Sequence, residues 1–134
     1  MPQTVLVIDD NNFIRVLASR LLSEAGFIPF LAPNGPSALV LLAAHPFDLI
    51  IVDFVMPEMC GDEFVRRVRS HRNLAVRRTP VLGLSGSHKD AEALFAMAGA
   101  TAYVSKPLQE ERLLAAVRRL LRDGGARRGR TEGA

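Results

Sequence analysis

Cysteine occurs once, at Cys60, so no disulfide can form within the chain. That suits a reducing compartment, and a cytoplasmic location is expected. No apolar run approaches the roughly 18 residues that a membrane helix needs, so no membrane association is expected. Met1-Pro2-Gln3-Thr4 leads straight into an apolar stretch without a basic leader, so no signal peptide is read there. Cys and His do not cluster at zinc-ligand spacing. Low complexity is confined to the Gly/Arg-rich end, and lysine is scarce beside arginine. A chain of 134 residues fits one domain and leaves little room for a second.

The net charge of +3 is unevenly placed. From Arg118 onward, Arg118, Arg119, Arg122, Arg127, Arg128 and Arg130 face only Asp123 and Glu132, a balance of +4, so residues 1–117 carry −1. The basic excess therefore belongs to the end of the chain, and residues 123–134 are expected to be a disordered basic tail. A nucleic-acid binder needs a basic face with a reading helix or interleaved aromatics, and direct DNA binding is not expected.

Apolar, strand-like runs alternate with helix-like ones five times. The strands are Val5–Ile8, Phe27–Leu31, Leu49–Val52, Val81–Leu84 and Ala102–Val104. Helical spacing follows over Phe13–Leu22, with Phe13, Leu17 and Leu21 on one side and Ile14, Ala18 and Leu22 beside them. It recurs over Ala38–Ala44 behind the start signal Asn34-Gly35-Pro36, then over Gly61–His71, Lys89–Ala98 and Glu110–Leu121. In the third helix Phe64, Val65 and Val68 read as inward and Arg66, Arg67 and Arg69 as solvated; Ser87 and Asp90 are spaced as a capping-box variant before the fourth. Strict alternation predicts a parallel sheet covered by helices on both faces. Pro29 cannot donate to a ladder, so the second strand is expected at an edge, where the order 2-1-3-4-5 puts it. In that order a crevice opens at the carboxyl ends of strands 1 and 3.

Chemistry-bearing residues gather at those ends. Strand 1 ends in Asp9-Asp10, strand 3 in Asp53, strand 4 in Ser85 and strand 5 in Ser105-Lys106. Three adjacent carboxylates repel unless a cation sits among them, and an all-oxygen pocket suits Mg²⁺ before zinc. Lys106 adds positive charge and Ser85 a hydroxyl donor, a set able to hold a phosphoryl group on a carboxylate nucleophile. Taken singly the residues have plainer readings. Asp9-Asp10 makes a helix cap, Ser85 a polar strand end, and Tyr103 half-buried packing. His45, His71 and His88 read as solvated, and Phe95 and Met97 as core, with one of the pair left exposed.

Val7-Ile8-Asp9-Asp10-Asn11, Asp48 through Gly61, Pro80 through Gly86 and Ala102 through Leu108 together resemble the receiver domain of two-component response regulators. The resemblance covers about residues 4–122, giving a receiver domain over 1–122, and implies a flavodoxin-like, doubly wound (βα)5 fold. It implies that Asp53 is the phosphoacceptor, that Asp9, Asp10, Asp53 and the backbone carbonyl of Val55 hold Mg²⁺, and that Lys106 pairs with the phosphoryl group. Ser85 and Tyr103 match the switch pair, and Lys106-Pro107 the cis peptide that aims the lysine. The output face is implied at the helix over 89–98, strand 5 and the last helix. The implied partners are a sensor histidine kinase or histidine phosphotransfer protein and a downstream protein target, with a phosphorylation-linked dimer as a further implication. The resemblance implies a switch that binds a partner or relays the phosphoryl group onward, and that catalyses only its own phosphoryl transfer and slow dephosphorylation. Met1 just ahead of strand 1 and the disorder-prone end favour a free-standing module, with a fragment of a hybrid kinase as the alternative. Gly86 stands where alanine is frequent, and Val55 is apolar where polar residues are common. A haloacid-dehalogenase-type hydrolase would need an acid at position 55, which valine cannot supply. A Rossmann nucleotide site would need Gly-x-Gly-x-x-Gly where Asp9-Asp10-Asn11 stand.

Overall fold

The computed structural model describes residues 2–86 and 88–133, with side chains up to Gly124. The expected tail falls mostly on side chains outside that description, as does the Ser87 half of the expected cap. The elements run β1 (Thr4–Ile8), α1 (Asn12–Glu24), β2 (Ile28–Ala32), α2 (Gly35–Ala44), β3 (Leu49–Asp53), α3 (Gly61–Arg69), α4 (Leu74–Arg77), β4 (Val81–Ser85), α5 (Ala91–Ala98), β5 (Ala102–Ser105) and α6 (Glu110–Gly133). The five strands form one parallel sheet in the order β2-β1-β3-β4-β5. β2 lies at the edge. The Ile28 amide donates inward to the Gln3 carbonyl, so with alternating amides the missing N–H of Pro29 points away from β1.

Strand parity divides the core into two layers. Leu6, Ile8, Ile50 and Val52 pack with Ala38 and Leu42 of α2, Phe64, Val65 and Val68 of α3, and Phe95 of α5. The alternate residues Val5, Val7, Leu49, Ile51, Leu82 and Leu84 face Ala18 and Leu22 of α1 and Leu113, Val117 and Leu120 of α6. Burial on both faces explains why β3 is apolar until Asp53. On the first face Gly83 leaves a gap that Phe95 fills, and a Cβ there would come 2.5 Å from the Phe95 ring.

Some sequence expectations give way. Phe13 is 71% exposed: the inner stripe of α1 runs through the half-buried Ile14 to the buried Ala18 and Leu22 and leaves Phe13 on the neighbouring face. Arg69 is half-buried rather than freely solvated. Its guanidinium donates to the carbonyls of Gly99 (2.9 Å), Arg77 (2.9 Å) and Thr79 (2.7 Å) and to Thr101 Oγ1 (3.3 Å), tying α3 to the turns that flank β4 and β5. α4 is a single short helix that the periodicity does not reveal. Asp90 caps α5 without a side-chain bond; instead its amide donates to His88 Nδ1 at 3.3 Å. Of the pair on α5, Phe95 is buried and Met97 is 83% exposed.

Candidate functional site

β1, β3, β4 and β5 end at the same rim of the sheet, and their last residues converge there. Asp9 follows β1 and is fully buried; Asp53 closes β3 and Ser85 closes β4, both nearly so. α1 is capped by Asn11, whose Oδ1 accepts the Ile14 amide at 3.1 Å. Asp9 and Asp10 are therefore not the cap. Asp9 Oδ1 instead accepts the Asn11 amide at 2.9 Å, which fixes its carboxylate toward the rim. Arg15, one turn into α1, reaches back to the Asp9 carbonyl (2.6 Å) and to Asn12 Oδ1 (3.1 Å). Sequence reading missed this clamp. Its signal was an arginine on the inner side of the first turn behind an acidic pair.

One oxygen from each of Asp9, Asp10 and Asp53 lies within 4.8 Å of the others, with Asp10 exposed at the mouth. Lys106 enters from β5: its amide donates to the Ser85 carbonyl at 2.8 Å, and Nζ lies 2.9 Å from Asp9 Oδ2 and 3.0 Å from Asp53 Oδ1. The Lys106-Pro107 peptide is cis. Burial, then the charge of Asp9, push the Asp53 carboxyl up from 3.8 to about 6, against the opposing pull of Lys106. Burial works to lower the lysine, but its bonds to Asp9 and Asp53 outweigh that and hold it above its ordinary value. Three carboxylates thus face one ammonium, and the Asp53 carboxyl still resists ionisation. All-oxygen donors short of positive charge are the chemistry of a hard divalent cation, and the residues fit Mg²⁺ on that ground.

The loop from β3 to α3 is built tightly around Asp53. The Gly61 amide donates to the Phe54 carbonyl at 2.7 Å, and a Cβ on Gly61 would come 2.3 Å from the Asp53 carbonyl oxygen. Glu58 sits at φ 71°, with the Met59 amide donating across it to the Pro57 carbonyl at 2.8 Å. That γ-turn strains a side-chain-bearing residue beside the site. Val55, between Phe54 and the turn, is 60% exposed. A Cβ on Gly86 would meet Lys106 at an ordinary 3.9 Å, so this position has room for alanine.

Aromatic rings run from the site toward β5. Phe54 lies 4.5 Å from His88 and 5.3 Å from Phe95, and Phe95 lies 6.3 Å from the half-buried Tyr103. His88, read from sequence as solvated, packs on Phe54 though exposed. His45 likewise stacks on Phe30 at 5.6 Å, and His71 Nδ1 accepts the Asn73 amide at 3.0 Å.

The family model of the response regulator receiver domain matches residues 5–118. Response regulator MprA of Mycolicibacterium vanbaalenii is 37% identical over 123 residues, 91% of this chain and 52% of its own. The chain therefore spans about half the length of that relative. Polar-differentiation response regulator DivK of Brucella anthropi is 30% identical over 92% of this chain and 99% of its own. Chemotaxis response regulator CheY4 of Vibrio cholerae superposes with a TM-score of 0.82 at 34% identity, over 90% of this chain and 99% of that one. The strand order is likewise that of the flavodoxin-like fold, and no helix among the described residues is long and apolar enough to cross a membrane. This chain belongs to the response regulator receiver domains, the signalling switches of two-component systems.

Proposed function

We propose that Asp53 is phosphorylated, and that the domain reads its own modification out through α5, β5 and α6. The observation that carries this is the buried triangle of Asp9, Lys106 and Asp53, with Nζ 2.9 and 3.0 Å from the two carboxylates and Asp10 beside them. Asp9, Asp10, Asp53 and the Val55 carbonyl would hold Mg²⁺, which when bound offsets the charge of the carboxylates and of an incoming phosphoryl group. An Asp53 oxygen attacks phosphorus; the P–N bond of a phosphohistidine breaks and its electron pair leaves on the imidazole, which takes a proton. The product is an acyl phosphate. Lys106 then exchanges its Asp53 contact for a phosphoryl oxygen, and the Ser85 hydroxyl donates to another. Movement of the β4 end toward the phosphoryl group opens space for Tyr103 to turn inward past Phe95, which alters the output face.

The donor in this reading is a sensor histidine kinase or a histidine phosphotransfer protein, and the reader is a downstream protein or a second copy of the chain, in the cytoplasm. Hydrolysis of the acyl phosphate resets the switch, and Val55 at the mouth bears on its rate. Asp53→Asn is expected to abolish Mg²⁺-dependent labelling from acetyl phosphate, and labelling that survives the substitution refutes the assignment. Lys106→Ala should uncouple labelling from partner binding; binding of the phosphorylated variant at the wild-type level would count against the lysine's role.

A further inference from the structure

At the opposite end of the sheet from Asp53, a cleft of about 620 Å³ opens between the C-terminal end of α2 and α4. Its floor is largely apolar, with Leu42, Phe47 and Val76, and Leu74 stands at the rim, 44% exposed. The α4 wall is fixed. Arg69 holds the Arg77 and Thr79 carbonyls (2.9 and 2.7 Å), and Thr79 Oγ1 donates to the Ala75 carbonyl (2.8 Å). Asp48, the one carboxylate lining the cleft among the described residues, accepts the Thr4 amide at 2.8 Å.

Asp48 apart, the charge around the cleft is positive. Residues 64–89 contain no aspartate or glutamate but carry six arginines. Arg66 pairs with Asp62 at 3.1 Å and Arg69 is the clasp. Arg72, Arg77 and Arg78 are exposed, and none of the three forms an ion pair among the described residues. Arg78 lines the cleft, and Arg72 and Arg77 adjoin its lining residues Asn73, Val76 and Arg78 in the chain. A small molecule inside the cavity would leave those two unmatched. A chain that seats an apolar side chain on Leu42 and Phe47 and continues across the rim meets all three.

We infer that this cleft docks an acidic protein segment anchored by an apolar side chain, at a surface separate from the phosphorylation site and from the α5–β5–α6 face. Apolar anchoring supplies affinity, and the arginines select for acidic flanks and speed encounter.

The test is a ¹⁵N amide titration of the full chain with a short peptide of Glu, Asp and Ser built round one Leu-Leu pair. Shifts are expected to be confined to residues 42–48 and 73–79. Replacing the Leu pair by Ser, or using Arg72→Ser/Arg77→Ser/Arg78→Ser protein, should each weaken binding about ten-fold, the scale set by losing several rim pairs or one anchor. The peptide change leaves the protein untouched, so misfolding of the variant cannot mask the result. Three outcomes overturn the inference. One is the absence of shifts at millimolar peptide. Another is shifts at arginines throughout the chain regardless of the Leu pair. The third is tighter binding at the cleft by duplex DNA, or equal binding by blocked leucine alone, which would assign it to a nucleic acid or a small molecule.

Discussion

Asp53→Asn should make the metal-free protein more stable. The folded state holds a proton on Asp53 up to about pH 6, whereas an ordinary aspartate releases it near 3.8. Folding therefore binds protons in that window, so stability conferred by the protonated form is present below about pH 4 and lost as pH rises to about 6. At about 1.4 kcal/mol per tenfold change in proton affinity, the charged Asp53 costs up to about 3 kcal/mol at neutral pH. Asparagine keeps the shape and removes the charge. Lys106 loses one partner but keeps Asp9 at 2.9 Å, so the expected net gain is about 1–2 kcal/mol, or about 3–8 °C in Tm. Thermal melts at pH 7.5 in EDTA measure it. Mg²⁺ at ten times its Kd should then stabilise the wild type by about 1.4 kcal/mol and leave the variant nearly unmoved. A variant less stable than wild type in EDTA, or equally stabilised by Mg²⁺, would refute the reasoning.

Two further expectations concern the loop around Asp53. Glu58→Gly removes the cost of φ 71° on a residue with a Cβ and should stabilise the fold by about 1 kcal/mol in urea unfolding, with destabilisation counting against a strained turn. Gly61→Ala places a Cβ 2.3 Å from the Asp53 carbonyl oxygen and should cost about 1–3 kcal/mol while weakening acetyl phosphate labelling; a silent substitution would show that the loop yields there.

The sheet was legible because its signals are local and agree. Alternation of apolar runs with helical stretches gave the layers, and Pro29 gave the edge, which the order 2-1-3-4-5 accommodates. The site was legible because Asp9, Asp10, Asp53, Ser85 and Lys106 each end a strand, and parallel strands bring their ends together without any side chain having to be placed. Interactions set by tertiary geometry were not legible. Arg69 sits at an outward-looking position of α3, and only the folded turns present the carbonyls it clasps. α4 has four residues, too few to show a period, and rests on the Asn73 cap and the Arg69 clasp. Phe13 shares its spacing with Leu17 and Leu21, and only the packing of α1 on the sheet shows that the stripe through Ala18 and Leu22 is the inner one. The rings of His88, Phe54, Phe95 and Tyr103 come from four different elements or loops, and no sequence spacing connects them.

Calorimetric titration of the folded protein with Mg²⁺ bears most directly on the proposal that the carboxylates at the rim hold a cation beside Asp53. The expected result is millimolar or tighter binding at pH 8. Affinity should fall as pH drops through about 6, where Asp53 takes up its proton, and Asp10→Asn should weaken it strongly. No uptake at millimolar Mg²⁺, or uptake indifferent to both pH and Asp10→Asn, would contradict it.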